Sequence, residues 1–266
     1  LAQRVFDEFL HLAAALADGL RALGRWLNNW WRIVMLGAQL LSLVLSPSTY
    51  NREYRQALLR HVYLGTAPSL VWFTVLSTLL SLVVIRIVIV TSVSYGLTQY
   101  ALEMVVRVLV LELIPLTAAL FAALRCTIPQ AAEVGALHAR DEHDTGFMRM
   151  QVLPRVSAGV VCALLLALIS CGVTLVLAYL SVYGLTTAGL PAYTRTVGHV
   201  FSPGIALVFG LKIAAMAAAV ALLPVASILI EPARSRRGTS AELKGLVRMF
   251  FAILLIEGAA LVGNYY

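Results

Sequence analysis

Charge is scarce in this chain. Only 12% of its 266 residues are Asp, Glu, Lys or Arg, while 61% are hydrophobic. Soluble domains hold about a quarter charged residues, so the balance excludes an ordinary water-soluble globule and predicts an integral membrane protein. Cysteine is almost missing: Cys126, Cys162 and Cys171 are an odd set of three in or beside apolar stretches. None has metal-type spacing, so they read as small buried hydrophobes, with no disulfide framework expected. Catalytic signatures are missing too. There is no G-x-x-x-x-G-K-[ST] phosphate loop and no H-E-x-x-H zinc helix, and no G-x-S-x-G elbow. The chain is therefore expected to be non-catalytic, with no cofactor or metal of its own. The net charge of +7 is spread over short loops. No tract forms a basic groove with interleaved aromatics, so no nucleic-acid partner is expected. No stretch reads as a cleavable signal peptide, and no internal repeat or low-complexity segment is visible.

What the chain has in abundance is long apolar stretches with ions set inside them. Ala101 to Ile128 is long enough to cross a bilayer, which needs about 20 apolar residues, yet it carries Glu103, Arg107 and Glu112. A charge at the centre of a span costs about 2.5–3.5 kcal/mol on the insertion scale, and each large aliphatic residue returns only about 0.3–0.6. Such a span is stable only in a bundle, with its charges paired or facing a wet cavity.

Five spans follow from hydropathy: Val62–Val90, Ala101–Ile128, Ser157–Val182, Ile205–Ile230 and Leu246–Val262. Ahead of them, Ala2, Val5, Phe6, Phe9, Leu12, Leu16, Leu20 and Leu23 recur at helical spacing, with polar residues between. This predicts an amphipathic interfacial helix over Leu1–Arg25. Trp26, Trp30 and Trp31 then read as an aromatic belt. Ile33–Leu45 is too short to cross upright and reads as a re-entrant or interfacial elbow. The fold class is thus an all-α integral membrane protein. Residues 1–60 are its interfacial helix and elbow, and residues 61–266 are its five-span domain. Basic residues crowd the N-terminal region and the loops after the second and fourth spans, while the stretch Ser94–Tyr100 has none and Leu185–Val200 only Arg195. The positive-inside rule then places the N-terminus in the cytoplasm and the C-terminus outside.

Within the spans, Pro115 and Pro224 are expected to kink a helix or free a backbone carbonyl. Gly210, Ala214 and Ala218 recur every four residues, spacing that suits ordinary close helix packing. Glu103 and Arg107 stand one helical turn apart in the favourable order for a pair. Glu112, nine residues from Glu103, points to the opposite face and needs a partner on another helix. Arg86, Lys212 and Arg248 are the available cations, and Glu257 has the same need. Such ions are functional candidates, with a structural buried pair as the competing account. The segment from His138 to Asp144 holds two histidines with acids between them. Its ligands do not share one helix face, so it reads as a charged loop rather than a metal site.

Glu112-Leu-Ile-Pro115, Leu120-Phe-Ala-Ala-Leu-Arg125, Ala132-Glu133-Val-Gly135 and Leu153-Pro154-Arg155-Val-Ser-Ala158-Gly159 resemble, in order and apolar setting, the MlaE-type permease family. These are membrane subunits of ABC transporters that work on lipids with MCE proteins. Lys212 and Glu257 keep a spacing similar to the family's lysine and acid. Leu111, Ile114 and Leu124 stand where the family has arginine, glycine and glycine, and the loop Ala136–Val152 is shorter than in typical members.

The resemblance implies a permease in the bacterial inner membrane, moving phospholipid or a similar amphiphile to or from a periplasmic MCE-domain protein. It implies a homodimer, a separate ABC ATPase that binds the ATP and Mg, and in some systems a STAS-domain protein. Residues 129–155 would be the coupling loop, with Glu133, Gly135, His138, Arg140, Asp141, Glu142 and Arg149 meeting the ATPase. Glu112, Pro115, Arg125, Pro154, Arg155, Lys212 and Glu257 are its motif residues. Apolar walls with a few ions suggest a lipid cavity at Leu82, Val83, Arg86, Glu103 and Arg107. Two other readings stand beside it: an ion-coupled secondary transporter using Glu112 or Glu257, and a non-transporting scaffold.

Overall fold

The computed structural model describes residues 24, 26–46, 51–97, 100–138, 146–230 and 239–265. Among these there are helices and no strands. The chain divides into two compact units, Leu1–Ser46 and Pro47–Tyr266. In the first, residues 26–45 are one continuous helix, including the stretch expected to be an elbow. Ile33, Leu36 and Leu40 are its buried positions, at the three-to-four spacing of one helical face. The Trp26 and Trp30 rings meet edge to face, 5.8 Å apart. Except for Gly24, the amphipathic helix expected over Leu1–Arg25 falls outside the described residues.

The second unit holds five helices long and apolar enough to cross a membrane: Arg52–Ser94, Ala101–His138, Met148–Tyr183, Pro203–Ile230 and Gly245–Gly263, the last inside the helix Thr239–Tyr265. Each contains one span expected from hydropathy, and most run further. The first begins ten residues early because Asn51, its side chain accepting the Arg52 N–H, supplies an N-cap. Polar Arg52–Arg60 then continues the helix where hydropathy alone stops. It ends at Gly96, whose φ of +70° terminates the right-handed ladder.

Side-chain contacts fix the topology. Tyr54 meets Ser157 at 3.1 Å and Ser81 meets Thr174 at 2.9 Å, so the first and third spans run parallel. Phe73 stacks on Phe121 and Cys126 reaches the Gly65 carbonyl, so the second runs antiparallel to the first. Lys212 reaches Glu257 while Gly245 lies against Ser227, so the fourth and fifth are antiparallel. The first span packs most broadly on the third, through the stripe Thr66, Ser69, Phe73, Ser77, Ser81 and Ile85. Small hydroxyl residues let two backbones approach where hydrophobicity gives no preference for partner over lipid.

The second span is not uniformly α-helical. Val106–Leu113 and Ala123–Thr127 are π-helical, as is Met148–Val152 at the start of the third. The wider π turn buries Leu109, Val110 and Leu111 in succession, a run that α geometry would not put on one face. The stretch Leu185–Val200, between the third and fourth spans, holds a further helix, Leu190–Val200, with Pro191 in its first turn. Gly184, at φ +69°, turns the chain toward it. Tyr193 on this helix lies edge-on to Tyr179, 5.2 Å away, and its hydroxyl donates to the Leu175 carbonyl at 2.8 Å. Burial pushes the Tyr193 phenol above its usual range.

Candidate functional site

The site is built around one proline and one lysine. Pro115 follows the π-helical stretch Val106–Leu113 and has no N–H to give the carbonyls one turn before it. Two of those carbonyls accept side-chain donors instead. Val110 takes the Cys171 thiol from the third span, and Leu111 takes Lys212 Nζ at 3.0 Å from the fourth. The same ammonium donates to Glu112 Oε2 and, at 3.0 Å, to Glu257 Oε1 on the fifth span. An ammonium has three donors, and all three are used. Lys212 therefore ties together the second, fourth and fifth spans.

Its side chain has no solvent exposure, against 16% for Glu112 and 14% for Glu257. Lys212 stands roughly 14 Å along its helix from Pro203. An ammonium this deep persists only when paired. Lys212 is buried, as are its neighbours Leu111, Ile213 and Met216, so the field between the three charges is little screened. Among the described residues two carboxyl groups share one cation. Glu257 Oε2 is buried and has no hydrogen-bond partner among the described residues.

Of the three cations the sequence offered, Lys212 serves both acids. Arg86 is exposed on the first span, beside exposed Leu82 and Val83, and forms no ion pair among the described residues. Glu103 and Arg107 form the expected pair at 3.1 Å, each about a third exposed. Glu112 does point away from them, to another helix.

At the far end of the second span the motif residues assemble a second polar group. Arg155 lies 3.7 Å from Glu133 and donates to the Gln151 carbonyl and side chain at 2.8 and 2.7 Å. Pro154 sits buried in the first turn of the α-helix Leu153–Tyr183. Arg125 is exposed. Gly135 faces Ile228 of the fourth span so closely that an added Cβ would stand 2.7 Å from Cγ2. His138 stacks loosely on Phe147, 5.3 Å away, and Arg149 lies half-buried in the π-helical start of the third span. Arg140, Asp141 and Glu142, with His143 and Asp144, fall outside the described residues. Among the described residues no three His, Cys, Asp or Glu side chains gather as a metal set.

Sequence reasoning missed two features. Cys126 and Cys162 touch, their sulfurs 2.9 Å apart, although 36 residues separate them. The tyrosine cluster of Tyr179, Tyr183 and Tyr193 was hidden because its third member lies outside the spans that hydropathy locates. Pro191 two residues after Gly189 was the available signal for that helix.

A comparison with curated proteins returned no match. The family model described as Permease MlaE matches residues 58–262, from inside the first span to the end of the fifth. The match takes in Glu112, Pro115, Lys212, Glu257 and the Glu133–Arg155 group. This multi-pass membrane chain belongs to the MlaE permease family.

Proposed function

We propose that the chain is the membrane-spanning permease subunit of an ABC transporter. It moves phospholipid or a similar amphiphile between the inner membrane and a periplasmic MCE-domain protein, driven by a separate ATPase. Family membership over most of the chain supports the class. One observation carries the mechanism: Gly135 bears on Ile228, and both the second and fourth spans also meet at Lys212. A push on the stretch from Glu133 to Arg149 reaches the fourth span at Ile228. That span carries Lys212, so the displacement is delivered to Glu112 and Glu257, and through them to the second and fifth spans.

The cavity among Pro115, Ala119, Ala163, Ala167, Ile213 and Met216 is about 10 Å³. Ligand pockets run to about 300–1,000 Å³. That cavity does not hold a lipid, and the surface of the first span around Leu82, Val83 and Arg86, with Glu103 and Arg107, is where we place it, facing a second copy. The apolar wall holds the tails and the ions hold the headgroup.

The test is copurification of the tagged chain with its neighbours in mild detergent, followed by intact-complex mass spectrometry and lipid-stimulated ATPase assay. The expected complex has two copies of this chain, two ATPases and retained phospholipid. A chain that purifies without any ATPase, and transports when reconstituted alone, overturns the reading. The triad favours one other reading, because a doubly acidic site on one cation suits ion coupling. Uptake driven by a pH gradient without ATP would select it.

A further inference from the structure

We propose that Cys126 and Cys162 are a modification site: a thiol pair that hydroperoxides close into a reversible disulfide bridging the second and third spans. The sulfurs lie 2.9 Å apart, and a disulfide needs about 2.05 Å, so closure requires a shift of less than an ångström. The approach is set by main chain as well as rotamers. Nearby, Gly159 brings the third span so close to the second and fourth that an added Cβ would lie 2.9 Å from Thr127 Cγ2 and 3.2 Å from Ala221 Cβ. The pair also has a shared acceptor. The Gly65 carbonyl lies 3.2 Å from Cys126 Sγ and 3.9 Å from Cys162 Sγ, and Ser69 Oγ is 3.7 Å from Cys126 Sγ. One thiol donates to that carbonyl and its sulfur accepts from the other thiol, which holds the two sulfurs in contact.

The chemistry balances with hydrogen peroxide as oxidant. One sulfur attacks a peroxide oxygen, the O–O bond breaks, and a sulfenic acid and water form. The second sulfur displaces the sulfenic hydroxyl, which leaves as a second water with the second thiol's proton. Two thiols lose two electrons, and the peroxide gains them. An external dithiol reverses the step by exchange. Both residues are nearly inaccessible, at 2% and 1% exposure, so a charged oxidant does not reach them. Cys171 lies apart, against the Val110 carbonyl, and serves as an internal control.

The experiment uses the full chain in lipid nanodiscs, treated with hydrogen peroxide or, separately, with diamide, then unfolded in detergent and alkylated with N-ethylmaleimide. Untreated chain takes three adducts, one per cysteine. Oxidised chain is expected to take one, on Cys171, with a Cys126–Cys162 cross-linked peptide on digestion and all three adducts restored by dithiothreitol. Cys126→Ser and Cys162→Ser should each take two adducts before oxidation and give no intramolecular cross-linked peptide after it. Three adducts persisting in the wild type under both oxidants, or consumption of Cys171 instead, overturns the proposal. So does over-oxidation to sulfinic acid without a cross-linked peptide.

Discussion

Lys212 is the residue whose loss should be felt most. Replacing one partner of a buried ion pair typically costs about 3–5 kcal/mol, because the other charge is left without compensation. Here Lys212→Met strands two carboxylates at once and also removes the donor to the Leu111 carbonyl. Glu257→Gln removes one of two acids competing for one cation and leaves Lys212 paired with Glu112. We therefore expect a large fall in the thermal midpoint of the detergent-purified protein for Lys212→Met and a much smaller one for Glu257→Gln. Equal falls would show that the triad is not held by the lysine. That Glu112 and Glu257 required partners on other helices was legible from their spacing. Which cation they used was not, since Arg86, Lys212 and Arg248 all had the right sign and depth. Only helix pairing decides it, and helical periodicity carries no information about which helix a face meets. Pro115 was legible as a source of freed carbonyls, but not that one of them would help hold the lysine.

At the scale of elements, hydropathy located every span but measured most of them short. It starts the first span only at Val62, whereas an Asn51 cap and good helix formers carry the helix through Arg52–Arg60. It was also blind to Leu190–Val200, which is too polar and too short to register. Two glycines test how these elements are joined. Gly184 sits at φ +69°, ψ −155°, a region open to glycine almost alone, where other residues cost about 1–3 kcal/mol. Gly184→Ala should destabilise the turn by that amount and expose the Leu190–Val200 helix to limited proteolysis. Gly135→Ala should act differently. Its methyl group would strike Ile228 and push the second span off the fourth, leaving the protein folded but uncoupling ATP hydrolysis from lipid transfer. Gly135→Ala paired with Ile228→Ala, which makes room, should recover much of the loss in a reconstituted transport assay. No recovery would remove this contact from the transmission path.

The whole molecule presents a broad apolar surface. Val71, Trp72, Leu76, Val83 and Ile87 on the first span are all more than half exposed, and lipid or a second copy must cover them. Exposed Arg86 on the same span favours a mixed environment over pure hydrocarbon. Arg86→Ala combined with Glu103→Ala should leave the fold intact and reduce copurified phospholipid severalfold, measured by lipid extraction and mass spectrometry. Undiminished lipid would move the binding surface elsewhere. Family class was readable from the motifs at Glu112, Glu133 and Pro154, because short segments kept their order. The Cys126–Cys162 contact was not, because two helices must be laid side by side before residues so far apart in sequence meet.

The first helix, at 43 residues, is roughly 65 Å long, more than twice the hydrocarbon thickness of about 30 Å. Its buried stripe from Thr66 to Ile85 rises roughly 29 Å, long enough to cross the oily layer by itself. The turns bearing Arg52, Arg55 and Arg60 must then stand clear of the acyl chains. A membrane with longer tails would submerge Arg60 and His61 or force the rod to lean, so tail length is written into the protein as a waterline.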